Sequence, residues 1–129
     1  MTDNERRVRA AELMGWDLDE DSQRGTRIWQ EPNGGLIGSE VFRDGEWKLE
    51  CSPVPPDYPH DMNAAMELVR GARADELTFE LYQGAHHGGQ WDAAFFGGDG
   101  VAVGCGRDEL PARAITDAFI EAMRDQISE

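Results

Sequence analysis

The chain has 129 residues, 26 of them acidic and 12 of them Lys or Arg, which gives a formal net charge of −14 at pH 7. This length suits one domain, and a hydrophobic content of 40 % is enough to fill one core. The charge argues against nucleic acid and anionic membranes as main partners, because both repel a polyanion. The first ten residues lack the apolar run of a signal peptide and no stretch is long enough to span a membrane, so we expect a cytoplasmic protein.

Three segments carry apolar residues at the spacing of an amphipathic helix. The first helix is predicted over residues 3–14 and ends at Gly15, which takes a left-handed conformation at little cost. The second is predicted over residues 60–70, with Gly71 as its stop. The third is predicted over residues 111–127, with an apolar face that packs on the strands before it.

The period-two alternation of six short segments predicts β-strands at residues 26–30, 36–42, 46–50, 77–82, 91–96 and 101–105. The last three are joined by short connections and are expected to pair antiparallel, with Val101, Val103 and Cys105 facing one way. The acidic segment 17–25 is interpreted as a solvated loop. Its aspartates alternate as in a calcium loop, but it lacks the central Gly and closing Glu of such a loop. The elements together define an α+β protein with one domain over residues 1–129.

Two cysteines are too few and too far apart in sequence for a zinc knuckle or a redox CxxC motif. We interpret Cys51 and Cys105 as reduced, buried residues. A disulfide between them is left open by the sequence.

Four segments together resemble a known family: AELMGWD at 11–17, the isolated Trp29 before EPNGG, DMNAAMELVRG at 61–71, and DELPARAITDAFIEAM at 108–123. The family is the phage ABA sandwich domain, found in small and mostly uncharacterised bacteriophage and prophage proteins. The resemblance covers roughly residues 8–123, and Met14-Gly15-Trp16 is its most distinctive part. It implies an α/β/α-type sandwich of three helices and an antiparallel sheet, expressed by a phage in the cytoplasm of a bacterial or archaeal host, and it carries over no catalytic signature.

Two regions depart from the family pattern, and insertions of this kind are where a specialised function is placed. Residues 25–51 are longer than the usual pair of short strands. The loop at 83–90 contains His86 and His87 followed by two glycines. Adjacent residues in extended geometry point in opposite directions, so the two histidines cannot easily bind one metal. A zinc site would also need ligands from His60, Asp61 or Cys105. We therefore interpret them as exposed loop residues and expect no metal and no cofactor.

A glycine-rich segment at 104–107 is predicted to lead from a strand into the last helix, where backbone N–H groups favour anions. Arg107 would then contact a phosphate or carboxylate, although a plain turn is the simpler interpretation. No serine lies in a GxSxG elbow, and no catalytic residue is expected. Five aromatic side chains fall outside the clean alternation and are expected to be exposed to a partner: Trp29, Trp47, Tyr58, Tyr82 and Phe96.

The leading functional interpretation is a non-enzymatic accessory protein that sequesters a small nucleotide-derived immune signal of the host in a pocket of a homo-oligomer. Aromatic rings would stack on a base and arginines would bind phosphates. The expected ligand contacts are Tyr82, His86, His87, Trp91, Phe96, Arg107 and Trp47. One alternative, favoured by the net charge, is an acidic inhibitor that mimics nucleic acid or blocks a host enzyme. A metal-dependent hydrolase using His86 and His87 is a further alternative.

Overall fold

A computed structural model describes residues 1–84 and 88–127 of the chain. In this part there are three helices, α1 (Asp3–Leu13), α2 (Met62–Ala74) and α3 (Pro111–Ile127). The strands are β1 (Asp17–Asp21), β2 (Thr26–Gln30), β3 (Ile37–Arg43), β4 (Glu46–Cys51), β5 (Thr78–Gln83), β6 (Trp91–Phe96) and β7 (Ala102–Asp108). They divide between two antiparallel sheets, β1–β4 and β5–β7. The α+β class, the three helices and the antiparallel pairing are confirmed.

Contacts divide the chain into two compact units. We call Met14–Pro55 the sheet unit, because it contains the four-stranded sheet. Met1–Leu13 together with Pro56–Glu129 is called the helical unit, because it contains the three helices and the three-stranded sheet.

The sheet unit begins with a strand that the sequence did not predict. Residues 17–21 form β1, which pairs with β2 in a register that puts Asp17 opposite Gln30 and Asp21 opposite Thr26. The interpretation of this segment as a loop was wrong, because pairing with β2 outweighs the low strand propensity of Asp and Glu. Residues 22–25 alone form the turn of the hairpin.

One face of the four-stranded sheet holds buried polar and aromatic side chains. Trp29 is fully buried, and its Nε1 donates a hydrogen bond to Glu40 Oε1 at 2.7 Å. The buried Arg27 donates through Nε to Glu20 Oε1 at 2.5 Å and lies 3.9 Å from the centre of the Trp47 ring. The expected exposure of Trp29 was therefore wrong: its ring packs in the core, and its one polar atom has a partner there.

In the helical unit, α3 packs on one face of the three-stranded sheet, and α1 and α2 pack against α3. The fully buried Phe95 of β6 contacts Phe79 of β5 and Phe119 of α3, at centroid distances of 5.0 and 6.3 Å. The predicted alternation of β5 and β6 is thus confirmed.

Tyr58, which was expected to be exposed, is only 1 % exposed.

The face of β7 that meets α3 is not the predicted one. Gly104 and Gly106 lie against the helix backbone, where a Cβ added to either would come within 2.3 Å of Ala118 O or 2.2 Å of Ala114 O, respectively. The odd-numbered residues lie away from α3, and Cys105 is exposed. Valines are typical of a buried strand face and glycines of a turn, so the sequence pattern indicated the wrong face of β7.

Helix α2 was predicted to end at residue 70 but continues to Ala74, because its buried face continues to Ala72. Asp61 caps it by accepting hydrogen bonds from the backbone N–H groups of Asn63 and Ala64. Gly71, the predicted stop, lies inside the helix, and Ala72 after it is fully buried. The helix ends only at Ala74, before Glu76 takes a φ of 63°.

Both cysteines are free and exposed, so the prediction that they are buried was wrong. Each lies on a strand whose alternation turns it outward, Cys51 at the end of β4 and Cys105 within β7.

Candidate functional site

The structure separates the residues that were expected to contact a ligand. Tyr82, Phe96 and Arg107 lie on the outer face of the three-stranded sheet, whereas Trp91 shares the opposite face with the buried Ala93 and Phe95. Trp47 belongs to the sheet unit. His86 and His87 lie outside the described residues.

Tyr82 and Arg107 occupy one row across the three-stranded sheet, with Asp92 between them. Arg107 Nε donates to Asp92 Oδ1 at 2.8 Å. The Tyr82 residue is 56 % exposed and the Arg107 side chain 49 % exposed. Phe96 lies four residues further along β6, which is about 13 Å away. The row therefore offers a ring for stacking and a guanidinium, but Asp92 offsets part of the positive charge.

Asp92 has one further feature. Its Oδ2 is buried and has no hydrogen-bond partner within the described part of the chain. A buried polar atom in this state costs free energy unless a donor reaches it. A small ligand with an N–H or O–H group would supply such a donor.

The prediction of a strand-to-helix turn at 104–107, on which the candidate anion contact of Arg107 depended, was wrong. These residues lie inside β7, which runs to Asp108. Gly104 and Gly106 make room for the α3 backbone, and helix α3 does not begin until Pro111. The glycines have a packing role that accounts for them fully.

A different group of side chains comes together on the outer face of the four-stranded sheet. Asp17, Asp19 and Asp21 alternate along β1, so their carboxylates share one face at a spacing of about 6.6 Å. Asp21 accepts hydrogen bonds from the backbone N–H groups of Gln23 and Arg24. Among the described residues, Asp17 and Asp19 have no ion pair and no side-chain hydrogen bond.

Beside these carboxylates lies a groove of about 330 Å³, which we call the acidic groove. Its lining residues are Asp17, Leu18, Asp19, Ile28, Gln30 and Ile37. Ile28 and Ile37 are 49 % and 59 % exposed. The groove thus combines an apolar floor with a negatively charged rim, and the described residues that line it include no cation for an anionic ligand.

The basic residues of the sheet unit do not neutralise this rim. Arg27 is paired with Glu20 on the other face, and Lys48 lies 3.6 Å from Asp44. Arg24 belongs to the turn after β1, where it reaches Asp21 at 3.8 Å. Arg43 is the last residue of β3, about 13 Å along the strand from Ser39, which pairs with Ile28. None of these four basic residues therefore lies beside Asp17 and Asp19.

The helical unit contains an ion-pair network centred on Asp3. This carboxylate accepts from Arg113 Nε and Nη2 at 2.8 Å each and from Arg6 Nη1 at 2.9 Å, and it lies 2.8 Å from His60 Nε2. Hydrogen bonds from Arg113 lower the pKa of Asp3 below its ordinary value. Arg6 of α1 also contacts Asp117 of α3 at 2.7 Å, so we assign the network a structural role in holding α1 on α3.

No group of three or more His, Cys, Asp and Glu side chains among residues 1–84 and 88–127 is arranged to hold a metal ion. In the same stretches, no helix has both the length and the apolar character needed to cross a membrane.

Sequence reasoning missed the acidic groove because it assigned β1 to a loop. The available signal was the alternation of Asp17, Asp19 and Asp21, followed by four turn residues and the predicted strand at Thr26. Two strand patterns separated by a short, Gly-containing turn are typical of a β-hairpin. Ile28 can be expected at the surface only once its neighbour Trp29, which points to the opposite face of the sheet, is known to be buried.

Comparison with protein-family models, curated proteins and solved structures gives no significant match. The resemblance to the phage ABA sandwich domain therefore stays a prediction. The class that the fold defines is a small α+β protein with two antiparallel sheets.

Proposed function

We propose that this protein acts by binding a basic segment of another protein in the acidic groove, as an acidic inhibitor or nucleic-acid mimic does. The observation that carries the proposal is the pairing of an exposed apolar floor at Ile28 and Ile37 with the carboxylates of Asp17 and Asp19.

A lysine or arginine side chain matches this surface. Its methylene stem would cover an isoleucine while its charged head reaches a carboxylate. A net charge of −14 would also raise the rate of encounter with a basic protein. A host protein whose basic surface binds phosphates in a row would meet, on β1, a row of carboxylates instead. The resemblance to phage proteins is consistent with such a host target.

The proposal is tested by measuring the anisotropy of fluorescein-labelled octalysine at increasing protein concentration. Asp17→Asn with Asp19→Asn should weaken binding about five- to tenfold, because two surface charge pairs are lost. The control is Glu12→Gln with Glu67→Gln, which removes the same charge from exposed positions on α1 and α2. Equal weakening by both double variants would mean that only net charge matters, and would reject the acidic groove as the site.

A second function is favoured by the row of Tyr82, Asp92 and Arg107. Here a small nucleotide-like ligand would stack on Tyr82, place a phosphate at Arg107 and donate a hydrogen bond to the unpartnered Asp92 Oδ2. Sequestration of a host immune signal would use this row, completed by a second copy of the chain. It ranks below the acidic groove because Asp92 and the net charge oppose an anion.

Thermal-shift measurements with cyclic di- and trinucleotides and ADP-ribose test this second function. A ligand at about 100 times its Kd stabilises the folded protein by about 2.7 kcal/mol. Tyr82→Ala and Arg107→Ala should each remove the shift, whereas Thr78→Ala on the same exposed sheet face should keep it. Sedimentation with and without the ligand would report the oligomer. If none of these nucleotides raises Tm, this function is rejected.

A further inference from the structure

Strand β1 has a free edge in the four-stranded sheet. The strand order is β1-β2-β3-β4, so among residues 1–84 and 88–127 β1 has a strand neighbour on one side only. In an antiparallel pair, alternate residues point their N–H and C=O groups away from the partner strand. In the described part of the chain, no backbone hydrogen bond reaches β1 from that side. The edge is therefore available for the addition of another strand.

A second copy of β1 does not suit this edge. Antiparallel pairing centred on Asp19 would put Asp19 opposite its own copy and Asp17 opposite Asp21. Like charges directly opposite one another on one sheet face are destabilising. The charge thus discourages self-pairing and favours a strand with basic side chains.

We propose that the occupant is an extended basic segment of a partner protein, which adds to β1 as a fifth strand and places Lys or Arg at every second position on the face of the acidic groove. The proposal rests on the proposed function and specifies the partner's conformation and pattern. Basic residues at alternate positions would lie opposite Asp17, Asp19 and Asp21, since directly opposed Cβ atoms are about 5 Å apart. A clustered run of lysines would put half its charges on the other face.

The intervening positions of the partner follow from the other face of β1. There Leu18 is half-buried, and Glu20 is held by Arg27. A β-branched or apolar residue beside Leu18 would extend the apolar surface, and it would meet no free carboxylate. The recognised pattern is therefore basic and apolar or β-branched in alternation over about five residues, the length of β1.

The test compares two labelled eight-residue peptides of alternating Lys and Thr, one unmodified and one N-methylated at every residue. Both carry the same charge, but the methylated peptide cannot donate to the edge of β1. The unmodified peptide should bind about tenfold more tightly, because two or three backbone hydrogen bonds are at stake. Asp17→Asn with Asp19→Asn should weaken both peptides.

The outcomes show whether strand addition fails alone or together with the proposed function. Equal affinity of the two peptides, with both weakened by the double variant, would overturn strand addition and leave the acidic groove as a charge-binding site. No binding of these peptides or of octalysine would overturn both, and the acidic edge would then serve only to prevent aggregation.

Discussion

Asp3 is a residue whose pKa is altered in the folded protein. Hydrogen bonds from Arg113, opposed in part by burial, hold its pKa below the ordinary 3.8. A carboxylate with a lowered folded-state pKa stabilises the protein at pH values above the unfolded-state pKa. That contribution is lost as the pH falls through the folded-state pKa.

We expect Asp3→Asn to lower the free energy of unfolding by about 1–3 kcal/mol at pH 7, because the charged donors on Arg6 and Arg113 lose the negative charge and one of the two oxygens that accept from them. The difference from the wild-type protein should shrink as the pH falls from the ordinary carboxyl pKa of 3.8 through the lower pKa of folded Asp3. Urea denaturation at several pH values measures both effects.

Asp19→Asn is the matched control for this prediction, since Asp19 is exposed and has no ion pair in the described part of the chain. It should change stability by less than about 0.5 kcal/mol. A constant difference between Asp3→Asn and wild type from pH 7 to pH 2 would show that the charge of Asp3 is not what stabilises the network.

Two aromatic residues show what sequence can say at this scale. Tyr82 was expected at the surface because it lies outside the apolar alternation of Phe79 and Leu81, and it is exposed. Trp29 broke the alternation and was expected at the surface, yet it is fully buried. The burial of Trp29 depends on partners that are distant in sequence, such as Glu40, and no local pattern reports them.

Among the elements, β7 depends on two glycines for its contact with α3. A Cβ at Gly104 would lie 2.3 Å from Ala118 O and 2.5 Å from Ala122 N, both backbone atoms that cannot move without shifting the helix. The close approach of strand and helix is thus specified by the absence of side chains.

Gly104→Ala should lower the free energy of unfolding by about 2–3 kcal/mol, because overpacking forces the strand and helix apart. Gly98→Ala is the control: no atom lies within 4 Å of an added Cβ, so its effect should be within about 1 kcal/mol and can be stabilising. Thermal or urea unfolding of the two variants measures the contrast. Similar stability of both would refute the close contact.

The elements that sequence predicted best are those with long, regular patterns. Helix α3 was predicted over residues 111–127 and forms over Pro111–Ile127. Strand β1 was missed because its four acidic residues and one leucine have little intrinsic preference for strand structure. They form a strand by pairing with β2. The candidate site was missed with it, since the acidic groove exists only when β1 lies beside Ile28.

For the whole molecule, the charge limited the class of partner but did not locate the site. With 26 acidic residues in the sequence, abundance alone does not distinguish one carboxylate from another. The structure distinguishes them by their surroundings: Asp3 is surrounded by basic groups, whereas Asp17 and Asp19 border exposed isoleucines and have no ion pair with any described residue. The proposed binding site rests on this difference in environment.

A charge-driven interface should also respond to salt. Raising the ionic strength from 0.1 to 1 M shortens the screening length from about 10 to about 3 Å, so octalysine should dissociate from the wild-type protein. Affinity that does not depend on salt would contradict a binding mode based on the carboxylates of Asp17 and Asp19.

The most direct test of the central claim is an NMR titration of the ¹⁵N-labelled protein with octalysine. We expect the largest amide shifts to fall on β1, Ile28 and Ile37, and Asp17→Asn with Asp19→Asn to raise the octalysine concentration needed to produce them about five- to tenfold. Shifts confined to the helical unit, or spread evenly over all acidic residues, would contradict the assignment of the acidic groove as the binding site.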